Sequence, residues 1–147
     1  MADHTHGDVV IQAPVNKVVS VIADLVRYPE WSDGITGAEV LETFADGRPK
    51  SARLQFARGP VSDSFIVDYT WNDDSSVTWT SREGSFIHVI EGKYTVEAQP
   101  DGTVQVTYDL QVELSIPMIG TLRTRAERLL VKTALQNLKK QVEKVNQ

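Results

Sequence analysis

TVQVTYDLQVELSI, Thr103–Ile116, alternates along its whole length. Val104, Val106, Tyr108, Leu110, Val112 and Leu114 fall on one side; Thr103, Gln105, Thr107, Asp109, Gln111 and Glu113 fall on the other. Successive side chains of a strand point to opposite faces, so the pattern predicts a strand with one wet face and one covered face. Something must then lie on the apolar side, and the residues that follow can supply it. Pro117 and Gly120 break the strand. From about 118 to 145, Leu122, Ala126, Leu129, Leu130, Thr133, Leu138, Val142 and Val145 recur at helical spacing. Such a helix is about 40 Å long at 1.5 Å per residue. Its apolar face includes small residues, Ala126, Thr133 and Ala134.

The same parity runs upstream. Strands are predicted at 85–98, 76–81, 62–71, 51–57 and 36–44, divided by the turns QPDG, REG, NDDS and ADGRP and by the break RGP. Their covered rows are Tyr94 and Val96, Val77 and Trp79, Phe65, Val67, Tyr69 and Trp71, and Leu54 with Phe56. Carried back without a bulge, the parity of 85–98 adds Gly92, Ile90, His88 and Phe86. Residues 8–12 make one more strand. Seven antiparallel strands covered on one side only argue against a two-sheet sandwich. A wide sheet must twist and coil, and a straight helix laid in a curved sheet leaves room for a hollow.

Between the first two strands, Pro14 suits a helix's first turn, and Val15, Val18, Val19, Ile22 and Val26 predict a helix over 14–26. Tyr28 precedes Pro29 and should leave helical dihedrals, ending it. Pro29 can start a second, very short helix through Trp31, stopped by Gly34. The stretch YPEWSDGI (28–35) thus places two large rings in a turn, either to plug the fold or to rim an opening.

The 147 residues fit one domain, 1–147, with no linker, repeat or low-complexity tract. Cysteine is absent, which excludes disulfides, thiolate metal sites and cysteine nucleophiles. No apolar run approaches a membrane span, and MADHTHGDVV is not a signal peptide, so a cytosolic protein is expected. A net charge of −5 argues against nucleic acid as a partner. The charge is uneven: residues 117–147 carry seven Lys/Arg against Glu127 and Glu143, net +5, leaving −10 on residues 1–116. That basic helix can dock on the acidic body or face an anionic partner.

IQAPVNKVVSVIADLVRYPEWSDGI (11–35) resembles the opening of the polyketide cyclase/dehydrase and coenzyme-Q-binding branch of the START-like superfamily, the birch-allergen-type helix-grip fold. VTYDLQVELSIPMIGTLRTRAERLLVKTALQNLKKQVE (106–143) resembles its final strand and C-terminal helix. The likeness spans about residues 8–145. It implies an α+β fold in which a seven-stranded antiparallel sheet wraps a long C-terminal helix around an apolar cavity, with two short helices after the first strand. It also implies a cavity for lipids, polyketides, quinones or hormones, in a family where a cyclase label often has no demonstrated catalysis. In that frame Tyr28 and Trp31 become wedges that close one end of the sheet.

The residues expected to meet a ligand are Trp31, Phe56, Phe65, Tyr69, Trp79, His88, Tyr94, Tyr108, Leu122 and Leu130. Inward tyrosines have hydroxyls that want partners and can orient a carbonyl or phenol. His88 is the one catalytic candidate, as a general base, against the plainer reading of a satisfied core histidine or one turned to solvent by a bulge. Arg123, Arg125 and Arg128 oppose the dipole near a helix N-terminus; they are paired or solvated surface, or meet a ligand anion or a protein partner. Asp24, Arg27, Glu30 and Asp33 read as a solvated rim. His4 and His6 sit in a loose N-terminus, and neither a metal nor a cofactor is expected. Sequence motifs for a serine-hydrolase elbow, a phosphate-cradling loop, a zinc protease or a dinucleotide site are missing. The favoured reading is non-catalytic carriage or sensing of a hydrophobic small molecule. The alternatives are a cyclase/dehydratase on a poly-β-keto chain and a protein-binding module.

Overall fold

The computed structural model describes residues 5–58, 61–84, 87–114 and 120–145. Its strands are β1 (Thr5–Ile11), β2 (Ile35–Thr43), β3 (Pro49–Arg58), β4 (Val61–Asn72), β5 (Ser76–Arg82), β6 (Ile87–Ala98) and β7 (Val104–Leu114). They form one antiparallel sheet in the order β1-β7-β6-β5-β4-β3-β2. From β2 to β7 each strand pairs with the next in sequence, and β1 joins at the far side of β7. The turns expected at ADGRP and QPDG form there, with Gly47 and Gly102 at φ +89°, a left-handed conformation glycine adopts without steric cost.

The inner face is the one that alternation predicts. Val104, Val106, Tyr108 and Leu110 of β7, Tyr94 and Val96 of β6, Val77 of β5, Phe65, Val67 and Tyr69 of β4, and Ala52 and Leu54 of β3 are all buried. α3 (Gly120–Val145) lies across this face, in contact chiefly with β1 and β7. Gly7 of β1 permits that approach. A Cβ there would sit 3.0 Å from Cγ1 of Val131 and 3.4 Å from Cδ1 of Leu135. This is the helix-grip arrangement, α+β with short helices after the first strand.

Four expectations need correction. β1 begins at Thr5, so His6 belongs to a strand, paired with Asp109, rather than to a loose tail; His4 lies outside the described residues. The first helix, α1, covers only Val15–Ala23. The chain breaks at Asp24 (φ −86°, ψ 71°) and continues as a 3-10 turn, Leu25–Arg27. That break moves the apolar phase by one residue: Leu25 is buried and Val26 is 63% exposed. Finally, Tyr28 keeps helical dihedrals (φ −54°, ψ −40°) and opens α2 (Tyr28–Trp31) despite the proline after it. A pre-proline residue is disfavoured in that region, not barred from it. Here the Tyr28 hydroxyl donates to the carbonyl of Ile22 in the last turn of α1, where helix carbonyls lack intrahelical partners.

Candidate functional site

Where α3 passes over the sheet, its two halves meet different surroundings. Leu135, Leu138 and Val142 are buried in a solid core with Ile11, Val18, Val19, Ile22, Val96, Val104 and Val106. The preceding turns, Ala126 to Ala134, border a hollow of about 590 Å³. Ala126, Thr133 and Ala134 are short side chains, and α1 reaches this hollow through Ile22 alone among its described residues. The rest of the wall is inner-face residues: Leu54 and Phe56 of β3, Phe65, Val67 and Tyr69 of β4, Trp79 of β5, Ile90 and Tyr94 of β6, and Tyr108 and Leu110 of β7. Tyr28, Ser32, Asp33 and Ile35 close it on the side of α2 and β2. The backbone N–H of Asp33 donates to Oδ1 of Asn137, 3.0 Å away, and so ties that turn to α3. Exposed Arg58 and Leu129 stand at its edge.

The hollow ends on a floor of aromatic rings. Tyr94 and Tyr108 face each other across β6 and β7 with ring centroids 4.8 Å apart. Trp79 lies 5.1 Å from Tyr94, 5.6 Å from Tyr108 and 6.3 Å from Tyr69. Gly92 makes room for that indole. A Cβ at 92 would come within 2.3 Å of Cε2 and Cζ2 of Trp79, a distance no real contact reaches. Two residues farther along the strands, at Val96 and Val106, the solid core begins. The floor is therefore the seam between the two halves of the molecule.

Tyr69, Tyr94 and Tyr108 are each more than nine-tenths buried. Among the described residues none is hydrogen-bonded to their hydroxyls, nor to Nε1 of Trp79, whereas the indole of Trp71 donates to the carbonyl of Pro49 at 2.9 Å. Burial raises the pKa of all three phenols above the ordinary tyrosine value. Mutual repulsion of neighbouring phenolates adds to the shift at Tyr69 and Tyr94, and the same two causes raise Tyr28. All four stay protonated and remain donors across the physiological range.

One acid is buried in the wall. Glu127 of α3 is 3% exposed and accepts from Oγ1 of Thr5 at 3.0 Å. Sequence reading counted it only as a charge. Its position on the apolar face, with Leu130, Val131 and Ala134 at helical spacings, was the signal that it points inward. Among the described residues no group of three His, Asp or Glu is arranged to hold a metal ion.

Of the residues expected to meet a ligand, Phe56, Phe65, Tyr69, Trp79, Tyr94, Tyr108 and Leu130 are brought together around the hollow. Trp31 is half-buried against Tyr28, ring centroids 4.8 Å apart, and is not part of the wall. The side chains of His88, Leu122 and Arg123, and Phe86 as a whole, lie outside the described residues. The register of β6 on β7 slips between Ile87 and Val89; the covered position expected for His88 lies outside the described residues. Arg125 and Arg128 are exposed and form no ion pair with a described residue. No helix among the described residues is long and apolar enough to cross a membrane.

Comparison with known proteins agrees with this architecture. A family model described as polyketide cyclase/dehydrase and lipid transport matches residues 11–139. The ribosome association toxin RatA of Pseudomonas aeruginosa is 23% identical over 143 residues, 95% of this chain and 97% of that protein. A START superfamily protein from Mycobacterium smegmatis superposes with a TM-score of 0.89 at 21% identity, covering 97% of this chain and 98% of its own. The Zhui aromatase/cyclase of Streptomyces sp. R1128 does so at 0.75 and 13%, covering 98% and 95%.

Proposed function

The chain belongs to the polyketide cyclase/dehydrase and lipid transport family, and from that premise we propose that it binds a hydrophobic small molecule in the hollow between sheet and α3. The observation that carries this reading is the apolar wall. About 590 Å³ bounded by Leu54, Phe56, Phe65, Val67, Trp79, Ile90, Leu110 and Leu130 falls within the roughly 300–1,000 Å³ of small-molecule sites. Affinity comes from apolar area removed from water, about 25 cal/mol per Å². The ligand classes that fit are lipids, quinones and polyketide-like aromatics. Carriage or sensing in a cytosolic setting needs nothing further from the chain.

Native mass spectrometry of the freshly purified protein, followed by organic extraction, tests this directly. A stoichiometric apolar adduct released on unfolding is the expected result. A clean apo mass, joined to a thermal-shift screen of lipids, quinones and aromatic polyketides that finds no stabiliser, overturns it for those classes.

A second reading has one observation behind it. Arg125 and Arg128 stand exposed without a described ion-pair partner near the start of α3, with Arg123 beside them in sequence, and the full-length relative RatA is named for association with the ribosome. A protein-partner role predicts that charge reversal at Arg125 and Arg128 abolishes an interaction and leaves small-molecule binding intact. A cyclase/dehydratase role requires a proton-transfer group beside the ligand. For that role Glu127 and His88 are the residues to replace in a turnover assay.

A further inference from the structure

We propose that Tyr69, Tyr94 and Tyr108 are the polar end of the binding site: a cluster of neutral donors that seats an uncharged oxygen acceptor, so that the hollow takes a hydrophobic carbonyl compound, head inward, and rejects a carboxylate of the same shape. This rests on the reading that the hollow binds a small molecule, and adds the ligand's polarity, charge and orientation.

Three facts carry it. The hydroxyls belong to side chains more than nine-tenths buried, and among the described residues they have no hydrogen-bond partner. Buried polar groups in native proteins are almost always satisfied, so three orphaned phenols on one floor point to a group that is to be bound there. Second, the rings converge without satisfying one another. They come from three strands of one face, Tyr69 on β4, Tyr94 on β6 and Tyr108 on β7, with Trp79 of β5 set among them. A carbonyl oxygen has two lone pairs and takes two such donors at once. Third, among the described residues the floor holds no cation: the basic group of the described wall is Arg58, which is exposed at the edge. A carboxylate carried down to the tyrosines would lose its hydration, with no counter-charge among the described floor residues to replace it. The apolar part of the ligand then extends from the floor along Ile90 and Leu110 towards Phe56 and Leu129.

The orientation separates this site from a plain greasy hollow, and three probes on one ring system test it: 2-acetylnaphthalene, 2-ethylnaphthalene and 2-naphthoate, measured by isothermal titration at neutral pH. Each is run on the native chain and on the triple variant Tyr69→Phe, Tyr94→Phe, Tyr108→Phe. The phenylalanine rings keep the apolar wall, and thermal melting of the variant verifies its fold. The native chain is expected to bind 2-acetylnaphthalene and to hold 2-naphthoate at least about tenfold more weakly. In the variant the acetyl compound should lose about tenfold, the effect of one to two neutral hydrogen bonds, while the ethyl compound is unchanged. If the acetyl-to-ethyl affinity ratio is the same in both proteins, the hollow binds apolar molecules but the tyrosines do not read an oxygen, and this proposal falls alone. Tighter binding of 2-naphthoate than of 2-acetylnaphthalene also overturns it. If none of the three binds the native chain, the proposal and the small-molecule reading fall together for compounds of this class. Should the triple variant not fold, the single variants Tyr94→Phe and Tyr108→Phe carry the same ratio test with effects of about two- to fivefold each.

Discussion

α3 crosses one sheet, yet its two halves meet opposite physics. Its C-terminal half presents Leu135, Leu138 and Val142 to a face already narrowed by α1, and the space closes to a core in which Ile11, Val18, Val106, Leu138 and Val142 are completely buried. Its N-terminal half presents Ala126, Thr133 and Ala134 to the same curved sheet, where among the described residues α1 and α2 contribute Ile22 and Tyr28 to the wall, and about 590 Å³ stays open. The packed half earns its stability from close contact. The hollow half forgoes that gain and leaves three buried phenols without described partners, an arrangement that costs about 1–3 kcal/mol per unsatisfied group. A fold of ordinary stability, about 5–15 kcal/mol, can carry such a region only because the other half is dense.

High pH should break the hollow half first and with the largest effect. All four tyrosines of the chain have raised pKa values. A group whose folded pKa is raised contributes stability that is fully present below its unfolded value and is lost as pH rises towards the folded one. Stability should thus be flat through neutrality and fall above about pH 10, by about 5 kcal/mol over the first unit as the unfolded chain alone releases four protons. Tyrosinate absorbance followed with circular dichroism checks it: the phenols should ionise together, at unfolding. Gradual ionisation near pH 10 with the fold intact would mean that solvent reaches the floor freely.

Truncation should separate the halves next. Leu138→Ala opens a cavity in the solid core and is expected to cost about 2–5 kcal/mol in urea denaturation, whereas Leu130→Ala, bordering space already present, should cost less than half as much. Equal losses would remove the distinction. Enlargement reverses the sign. Ala52→Leu, at a completely buried position of β3, should cost about 1–3 kcal/mol through overpacking. Ala134→Leu projects into the hollow, and should stay within about 0.5 kcal/mol of the native chain or exceed it.

The smallest effect lies where α3 meets β1. Glu143 accepts from Nζ of Lys139 at 2.7 Å and from the backbone N–H of Gln12 at 2.9 Å, and these bonds, Lys139 first, hold its pKa below the carboxylate norm. Its contribution is present above the ordinary carboxylate value and is lost as pH falls through the lowered one. The pair is partly exposed, so Glu143→Gln should cost only a few tenths of a kcal/mol near neutrality, and the difference from the native chain should vanish in acid. A pH-independent difference would place the effect in packing instead.

Much of this was legible from residues alone because it depends on local periodicity. The alternation of 103–116 determined which side of β7 is covered, and the same parity in the other strands placed Phe56, Phe65, Tyr69, Trp79 and Tyr94 on the face that lines the hollow. Alternation fails where the chain departs from its period. The break at Asp24, which exposes Val26 and buries Leu25, and the register slip of β6 on β7 between Ile87 and Val89 both arise from backbone geometry that apolar spacing does not encode.

By itself, then, the sequence determined the sheet, its covered face, the long helix and the inward tyrosines, since each follows from a repeat of two or 3.6 residues. Only the tertiary structure decided where the covered face is solid and where it is open. That depends on how far α1 reaches, how the sheet curves and which sizes of side chain meet across it. Those residues are distant in sequence, so the extent of the hollow and the floor on which three phenols lack a described partner are properties of the packed whole.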